Sequence, residues 1–249
     1  MNIGLYQSAS SLAALERWQD SVSQNITSAQ TTGYRKRTME FSTETAGEIH
    51  PDMHSKLGKD AGMPAVFPRT SAGINYISGE TMPTRRELDI AIQGEGFFEV
   101  KLPDGSMGYT RSGEFRLRPD RTLVTTGGLE VMNSNGDPFV LLPGGGSVVV
   151  NQDGTIFQGA TALGKLSVQK FDNLAALRPT AGGMFTAEGN AGMTAVEEPE
   201  LMQGYLEQSN VQPLREMVDL VIISRAYEAN QKMITTIDQQ MQKALEALG

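Results

Sequence analysis

Residues 220–248 read LVIISRAYEANQKMITTIDQQMQKALEAL, and their apolar residues recur at alternating spacings of three and four. The nine positions on this seam are Leu220, Ile223, Tyr227, Asn230, Ile234, Ile237, Met241, Ala244 and Leu248. All of them except Asn230 are apolar. Such spacing is typical of a helix that packs in a coiled coil. Because Pro213 suits a first helical turn, we expect one helix over 211–248. A helix of this length on a narrow seam is unusual inside a self-contained globular domain.

The other end of the chain carries a similar seam. Heptads written from Leu5 have six apolar residues at eight seam positions: Leu5, Ser8, Leu12, Leu15, Gln19, Val22, Ile26 and Ala29. We expect a helix over 2–30 that stops before Gly33, which can adopt a positive φ. Each seam also holds one amide, Gln19 or Asn230. A buried amide would fix register, whereas an amide at the edge of the seam would face solvent, and both interpretations stay open.

The middle of the chain has the pattern of short antiparallel strands. Residues 90–92 and 97–100 are apolar runs on either side of Gly94-Glu95-Gly96. Asn135-Gly136 is a strong hairpin signal, and Asp153-Gly154 gives another. Turn signals at roughly ten-residue spacing indicate an antiparallel β-domain. Residues 42–71 and 179–200 lack a clear period, and we expect an irregular or extended connector in the first and a loop in the second.

Together these patterns predict an α+β fold. We expect a discontinuous, coiled-coil-like helical domain from both chain ends, residues 1–35 and 205–249. An extended connector arm would span 36–71, and a central, mainly antiparallel β-domain would span 72–204. Two amphipathic helices leave apolar surface that can be covered within one chain or by other copies, so burial favours assembly.

Composition excludes several classes of function. The net charge is −8 and the sequence pI is about 4.9, so contacts with phosphates offer little and we expect no nucleic-acid partner. The chain has no cysteine, which excludes disulfides, thiolate metal sites and cysteine nucleophiles. His50 and His54 lie on either side of Pro51, which disfavours a helix through both. We therefore expect no metal site and no cofactor.

Membrane and secretion signals are also lacking in the pattern. No run of about 18 apolar residues occurs, so we expect no insertion into a membrane. The opening residues from Met1 to Ser8 lack the basic and apolar regions of a secretory signal peptide. If the protein leaves the cytosol, we expect a route without a cleaved signal peptide.

One stretch carries a partial signal for an enzyme. Residues 159–166 read GATALGKL, which has the GxxxxGK skeleton of a phosphate-binding loop. Leu166 stands where such a loop needs Ser or Thr, and the following residues alternate like a strand rather than a helix. We expect a turn between two strands here and no enzyme. A nucleotide-binding enzyme is the alternative from another class, and a filament or adhesin subunit is a further one.

Several segments together resemble the flagellar rod and hook proteins. The segments, in order, are SQNITSAQTTGYR at 23–35, AIQGEGFF at 91–98, YTRSGEF at 109–115, LVT at 123–125, QSNV at 208–211, MV at 217–218 and RAYEAN at 225–230. They cover both ends and the centre of the chain. The sequence departs from the family pattern at Gln24, Thr27 and Ser28, where the family often has Asn, Ala and Asn.

The resemblance implies a structural role. Members of this family polymerise into a helical tube, with their terminal helices in the inner wall and their β-domains outside. The tube transmits torque from motor to hook and forms part of the export channel. Implied partners are copies of itself, other axial proteins of the rod and hook, the flagellar type III export apparatus and the surrounding basal-body rings. The implied location is the basal-body rod that crosses the periplasm.

The resemblance also assigns residues to roles. Its assembly interface would comprise Leu5, Leu12, Leu15, Val22, Asn25, Ile26, Asn210, Leu220, Ile223, Tyr227, Asn230, Ile234, Ile237 and Met241. Backbone and core positions of the motifs would be Gly33, Tyr34, Gly94, Gly96, Phe97, Phe98, Tyr109, Arg111, Gly113 and Phe115. The chain is short for a main hook protein. A proximal rod type is favoured by the opening residues 1–11, and a distal rod type or hook-type subunit is the alternative.

Overall fold

The structure is a computed structural model that describes residues 3–49, 63–144, 146–189 and 191–246. In chain order its helices and strands are α1 (Ile3–Thr27), β1 (Arg37–Ile49), β2 (Met63–Ile74), β3 (Thr81–Pro83), β4 (Ile90–Gln93), β5 (Phe97–Lys101), β6 (Met107–Thr110), β7 (Phe115–Leu117), β8 (Leu123–Thr125), β9 (Glu130–Val131), β10 (Val148–Val150), β11 (Thr155–Gln158), β12 (Thr161–Lys165), β13 (Val168–Phe171), β14 (Leu177–Thr180), β15 (Met184–Ala187), β16 (Met193–Ala195), β17 (Glu200–Gln203), β18 (Tyr205–Glu207) and α2 (Pro213–Glu246). Single turns of 3-10 helix occur at Leu174–Ala176 and Ala181–Gly183.

The chain divides into two compact units. The terminal unit comprises Met1–Ile26, Arg37–Ile74 and Gln212–Gly249. The central unit comprises Thr27–Lys36 and Asn75–Val211. The two long helices belong to the terminal unit, and every strand pair among the described residues is antiparallel. The fold is therefore α+β, as the sequence predicts.

Both helices form where the apolar seams predict helix. α1 is described from Ile3 to Thr27 and α2 from Pro213 to Glu246. Pro213 opens α2 because the first turn of a helix requires no hydrogen bond from its backbone nitrogen. The carbonyl of Gln212 accepts hydrogen bonds from the backbone N–H groups of Arg215 and Glu216 at 3.0 and 3.1 Å, which begins the helical ladder.

β1 and β2 form a two-stranded ribbon in the terminal unit. Their register runs from Arg37 opposite Ile74 to Ile49 opposite Met63. The expectation of an irregular or extended connector over 42–71 did not include this pairing. The described part of the ribbon gives no periodic signal because alternate residues do not form an apolar face. Glu40, Ser42 and Glu44 are exposed on one side, and Phe41 on the other side is 50% exposed.

The ribbon is held against α1 by a few contacts. The Phe41 ring meets the Trp18 ring edge-on, with the two centroids 5.4 Å apart. Ser10 Oγ donates to the carbonyl of Pro68 at 3.3 Å, and Arg17 Nη1 donates to Thr70 Oγ1 at 3.2 Å. A two-stranded ribbon by itself is only marginally stable in water, so its order in the subunit depends on such contacts.

The central unit is built on one branched antiparallel sheet. Its strands lie in the order β14-β15-β6-β5-β9-β8-β7, and β13 pairs with both β5 and β16. A three-stranded sheet, β10-β11-β12, lies in the same unit. Two further pairs join the end of the unit's chain to its beginning: β17 pairs with β4 and β18 pairs with β3. The last strands of the central unit are therefore hydrogen-bonded to its first strands.

A large apolar core lies in the central unit. It consists of Ile90, Ile92, Phe98, Val100, Phe115, Leu123, Val131, Phe139, Leu141, Val148, Val150, Ile156, Leu166, Val168 and Leu201. Phe98 and Phe115 meet edge-on at its centre, with ring centroids 5.1 Å apart. The strands around them alternate buried and exposed residues only weakly because several are covered on both faces.

The expectation of a loop over 179–200 is wrong for much of its length. β15 and β16 lie within it, and β14 extends to Thr180. The Phe185 side chain is buried and packs near Phe97, with ring centroids 5.6 Å apart. β14 and β16 lie at edges of the sheet, where exposed and small residues remove the alternation that identifies a strand.

The core makes a direct prediction about stability. Phe98→Ala removes a ring that is 0% exposed, and we expect a loss of about 3–5 kcal/mol in the free energy of unfolding. Denaturant unfolding of the purified chain, followed by circular dichroism, measures the loss. Leu117→Ala, at a position 44% exposed on β7, is the control and should lose less than about 1 kcal/mol. Equal losses in the two variants would contradict the assignment of the core.

Candidate functional site

The apolar seams of the two helices meet within the terminal unit. Leu15, Val22 and Ile223 form a buried cluster, and Trp18, Ile26, Leu220, Ala226 and Tyr227 pack around it while partly buried. Ser8 Oγ donates to Met233 Sδ at 3.7 Å, and Asn25 Nδ2 donates to Glu216 Oε2 at 2.9 Å. These contacts occur in reversed order along the two helices, which therefore run antiparallel.

Other predicted seam residues are not part of this cluster. Leu12, Ile234 and Ile237 are half-buried, and Met241 is 41% exposed. The side chain of Leu5 lies outside the described part of α1. Much of the predicted seam towards the end of α2 thus retains accessible apolar surface in the single chain.

The two seam amides do not form a buried pair. Gln19 is exposed. Asn230 is half-buried, and its Nδ2 donates to the carbonyl of Ala226 in its own helix at 3.2 Å. Of the two interpretations that the sequence left open, the exposed edge position fits Gln19 in the isolated subunit.

Asn25 fixes the point where α1 ends and the ribbon begins. Its Oδ1 accepts from the backbone N–H of Arg37 at 2.8 Å, and its Nδ2 donates to the carbonyl of Arg37 at 2.9 Å. The same Nδ2 donates to the buried carboxylate of Glu216 in the first turn of α2. Glu216 was not expected as a site residue. Its sequence neighbours include Arg215 and Asp219, so no sequence signal sets it apart.

The face of α2 opposite its seam is apolar and exposed. At about 100° per residue, Leu214, Val218 and Val221 project from the side opposite Ile223. They are 80%, 58% and 56% exposed. We call the following residues the exposed face of α2: Leu214, Met217, Val218, Val221 and Ile222. The sequence analysis followed the seam and missed this face, although a helix segment that is apolar on every side signals burial on every side.

The segment 27–36 lies in the central unit and packs closely against other backbone segments of that unit. Gly33 has φ +67°, and a Cβ added to it would lie 2.4 Å from backbone atoms of Arg111 and Ser112. Its backbone N–H donates to the carbonyl of Glu207 at 2.8 Å. Thr32 Oγ1 and Ser112 Oγ share a hydrogen bond of 2.6 Å. Only glycine fits here, because both the left-handed conformation and the backbone approach exclude a side chain.

Asn210 ties three segments of the central unit together. Its Oδ1 accepts from the backbone N–H of Lys36 at 2.6 Å. Its Nδ2 donates to the carbonyls of Asn75 and Ile77 at 2.9 and 2.7 Å, and its backbone N–H donates to the carbonyl of Tyr34 at 3.4 Å. Asn25 and Asn210 thus bind backbone groups of their own chain.

A buried set of charges lies beside the segments that Asn210 ties together. Glu207 Oε1 accepts from Arg35 Nη1 at 2.5 Å and from the backbone N–H of Gly79 at 2.9 Å. Arg111 Nε lies 3.4 Å from Glu207 Oε2, and Arg111 Nη2 donates to the carbonyl of Gly94. Burial lowers the pKa of the Arg111 guanidinium to about 10, while Glu207 raises it and Arg35 lowers it further. Glu207 is a second site residue that sequence analysis missed.

The other motif residues shape the central unit. Gly94 and Gly96 form the turn between β4 and β5, both at positive φ. Phe97, Phe98, Tyr109 and Phe115 are all buried. A Cβ at Gly113 would lie 1.6 Å from the carbonyl oxygen of Ile90, whose backbone N–H donates to the Gly113 carbonyl at 3.0 Å. This close strand approach accounts for the glycine in the YTRSGEF segment.

The partial phosphate-loop pattern lies in a hairpin. Residues 159–160 turn between β11 and β12, which pair antiparallel from Thr155 opposite Lys165. No helix follows the loop, so the arrangement of strand, loop and helix that a phosphate loop needs is missing.

The described residues form neither a metal cluster nor a membrane-spanning helix. No group of three or more His, Asp or Glu side chains among them is placed to hold a metal ion. His50 and His54 lie outside the described residues. No described helix is both long and apolar enough to cross a membrane.

Comparisons with known proteins match two segments of the chain to family models. A family model described as flagellar basal body rod FlgEFG protein C-terminal matches residues 202–247, and one described as flagellar hook protein FlgE/F/G D1 domain matches 91–158. The flagellar basal-body rod protein FlgF of Caulobacter vibrioides is 33% identical over 252 residues, covering 100% of this chain and 99% of that one. The chain belongs to the flagellar basal-body rod protein family.

Further relatives carry two names within the same family. FlgF of Rhizobium meliloti is 29% identical over 261 residues, covering 100% of this chain and 99% of the relative. FlgG of Borreliella burgdorferi is 29% identical over 259 residues, covering 94% of each chain. Membership of the flagellar rod family identifies a structural subunit of the basal-body rod and not an enzyme.

A substitution at Asn210 tests whether this side chain holds the three segments of the central unit together. Asn210→Ala removes three side-chain hydrogen bonds to backbone groups, and we expect the free energy of unfolding to fall by about 2–4 kcal/mol because the freed groups are partly buried. Denaturant unfolding measures this change. Gln208→Ala, at an exposed neighbouring position, should change it by less than about 0.5 kcal/mol. A loss of unfolding free energy for Asn210→Ala as small as that for Gln208→Ala would contradict this role of Asn210.

Proposed function

We propose that this rod subunit assembles through the exposed face of α2, which packs against copies of the chain or other axial proteins of the rod and hook. The supporting observation is the exposure of Leu214, Val218 and Val221 opposite a seam that is already used within the subunit. A helix that is apolar on all sides is stable only when it is covered on all sides.

The energetics favour burial of this face on assembly. Full burial of a Val or Leu side chain contributes about 1.5–3 kcal/mol relative to exposure. Five such residues over less than three turns supply a substantial driving force, even after the entropy of ordering two partners is subtracted. Beyond Ile222 the same side of α2 becomes polar, with Arg225, Lys232 and Gln239 exposed. The proposed contact is therefore confined to the beginning of the helix.

This proposal divides the predicted interface residues into two sets. Leu15, Val22, Asn25, Ile223 and Asn210 make contacts inside the chain and would support assembly by holding the subunit's own geometry. Leu12, Ile234, Ile237 and Met241 keep accessible surface, so they remain candidates for coiled-coil-like packing between neighbouring subunits. Asn230 lies between these sets on α2.

The larger assembly follows from the family resemblance. In the proposed arrangement, terminal helices of successive subunits line a helical tube, the central units lie outside, and the tube carries torque and forms part of the export channel. The polar contacts of the buried Asn25 and the half-buried Asn210 suit a part that transmits force, because they fix the backbone in one geometry. The domain division at 1–35, 36–71, 72–204 and 205–249 is part of this proposal.

Location and export are proposed on the same basis. The subunit would occupy the rod where it crosses the periplasm, with surrounding basal-body rings as neighbours. It would reach that place through the flagellar type III export apparatus and without a cleaved signal peptide. A chain without cysteine can pass through such a route unfolded and form no disulfide in an oxidising compartment.

Among rod proteins, the coverage favours the kind named FlgF. The FlgF relatives of Caulobacter vibrioides, Mesorhizobium japonicum and Rhizobium meliloti each align with 100% of this chain and 99% of their own length. The FlgG relatives of Borreliella burgdorferi and Agrobacterium fabrum align with 94% and 88%. Whether the position in the rod is proximal or distal is a separate proposal, and we favour the proximal type.

A charge on the exposed face of α2 tests the assembly proposal. We expect Val221→Glu to abolish swimming of a strain in which it replaces the native chain, because assembly would bury an unpaired carboxylate. Motility in soft agar and the length of isolated rods measure the effect. Circular dichroism of the purified variant should match the native chain, since Val221 is 56% exposed in the monomer.

A matched variant separates position from charge. Gln239→Glu adds the same carboxylate on the same side of α2, further along the helix, and should leave swimming unchanged. Ile223→Asp should also abolish assembly with the central unit still folded, but it would disturb packing inside the subunit as well. Normal rods in the Val221→Glu strain would overturn the proposal.

The FlgF assignment has its own test. In a strain that lacks this chain, we expect swimming to return when Caulobacter vibrioides FlgF is supplied and not when Agrobacterium fabrum FlgG is supplied. Soft-agar motility with equal expression of the two proteins measures the difference. Rescue by FlgG alone would contradict the assignment.

A further inference from the structure

A cavity of about 400 Å³ opens on the central unit beside the turn between β4 and β5. Two buried arginines, Arg35 and Arg111, line it, and Ser78 lies at its exposed edge. An apolar wall is provided by Tyr76, Phe97, Phe171 and Leu174. The proposed contact on α2 does not involve the residues that line this cavity.

The inner end of the cavity carries an uncompensated positive charge. The side chains of Arg35, Arg111 and Glu207 are 1%, 3% and 2% exposed, so two guanidinium groups share one carboxylate. Among the described residues, two donors of this set, Arg111 Nη1 and Arg35 Nε, and one acceptor, Glu207 Oε2, are buried without a hydrogen-bond partner. An extra buried charge with unpaired donors is costly unless an anion completes the set.

The outer rim acts on that charge only from exposed positions. Glu95 there pairs with Lys170, with Oε2 and Nζ 2.5 Å apart, and both side chains are largely exposed. Asp172 is exposed beside them, and its charge acts on Lys170, whose pKa is raised mainly by Glu95. Water screens charges at such a rim far more than it screens the buried guanidinium groups. The rim therefore carries one net negative charge at exposed positions, whereas the extra positive charge of the inner end is buried.

We propose that this cavity binds a carboxylate group on a short apolar stem, with Arg111 and Arg35 pairing with the carboxylate and the aromatic wall packing on the stem. Arginine is suited to this role because its planar fork of donors matches the two carboxylate oxygens. The volume admits a group the size of an acidic side chain. The carboxylate comes either from a small organic acid or from an Asp or Glu side chain of a second copy of the chain.

The lowered pKa of Arg111 agrees with this proposal. Burial is its main cause, and Glu207 and, less strongly, Glu95 offset the lowering only in part. The Arg111 guanidinium also lies 5.7 Å from the centroid of the Phe97 ring, so the aromatic wall and the cation already face each other.

A carboxylate built into the cavity tests the charge requirement. Ser78 Oγ accepts from Arg111 Nη2 at 3.4 Å, so Ser78→Glu brings a carboxylate to the guanidinium, and Ser78→Gln brings the same shape without charge. At pH 7 we expect the Tm of Ser78→Glu to exceed that of Ser78→Gln by about 2–4 °C. Calorimetry of the full chain measures both.

The pH dependence of this difference has a definite sign. A carboxylate paired with arginine has a folded-state pKa below its ordinary value of about 4.3, so its stabilisation is present above that pH and is lost as the pH falls through the lowered value. A Tm of Ser78→Glu equal to or below that of Ser78→Gln at pH 7 would overturn the proposal.

Binding of an external carboxylate is the second measurement. Sodium acetate should raise the Tm of the native chain more than sodium chloride does at equal ionic strength, and this excess should vanish in Ser78→Glu, whose own carboxylate occupies the site. An equal effect of the two salts, or an acetate effect that persists in Ser78→Glu, would overturn the proposal.

Sedimentation velocity distinguishes the two sources of the carboxylate. Weaker self-association of Ser78→Glu than of Ser78→Gln would identify a second copy as the source. Equal association of the two variants, with the acetate effect present in the native chain, would identify a small organic acid. Both tests are independent of the exposed face of α2, so their failure would leave the assembly proposal unaffected.

Discussion

The chain must cross between its two units four times, and this constraint governs the arrangement of its polar residues. The crossings fall between residues 26 and 27, 36 and 37, 74 and 75, and 211 and 212. Asn25 binds Arg37 on the terminal side, and Asn210 binds Lys36 and Asn75 on the central side. Each amide satisfies backbone donors and acceptors that irregular chain would otherwise leave unpaired. Two side chains therefore fix where four passages of the chain begin and end.

The helices and the class of fold could be predicted from the sequence because apolar periodicity reports directly on burial. The ribbon of β1 and β2 could not, because its described side chains are mostly exposed on both faces and its order depends on contacts with α1. β15 was missed for a related reason: its one buried aromatic, Phe185, lies among glycines and small residues. A strand that buries a single side chain leaves little trace in a pattern of hydrophobicity.

The candidate site was predicted in part. The seam residues were found by their spacing, and Asn25 and Asn210 by their place in motifs. Glu216 and Glu207 were not found, because a buried carboxylate has no periodic signature and its burial depends on partners distant in sequence. The exposed face of α2 was overlooked because a seam search assigns one face to a helix. In a protein that assembles, a second exposed apolar face indicates where neighbouring subunits pack.

The central claim is that the exposed face of α2 becomes buried when subunits assemble. Because the chain has no cysteine, Val221→Cys creates a single thiol whose reaction with a maleimide can be followed by mass, first in the purified subunit and then in isolated basal bodies. We expect rapid labelling of the subunit and strong protection in the basal body, while a Ser106→Cys control in the exposed turn between β5 and β6 labels readily in the subunit. Equal reactivity of the Val221→Cys thiol in the two states would contradict the account.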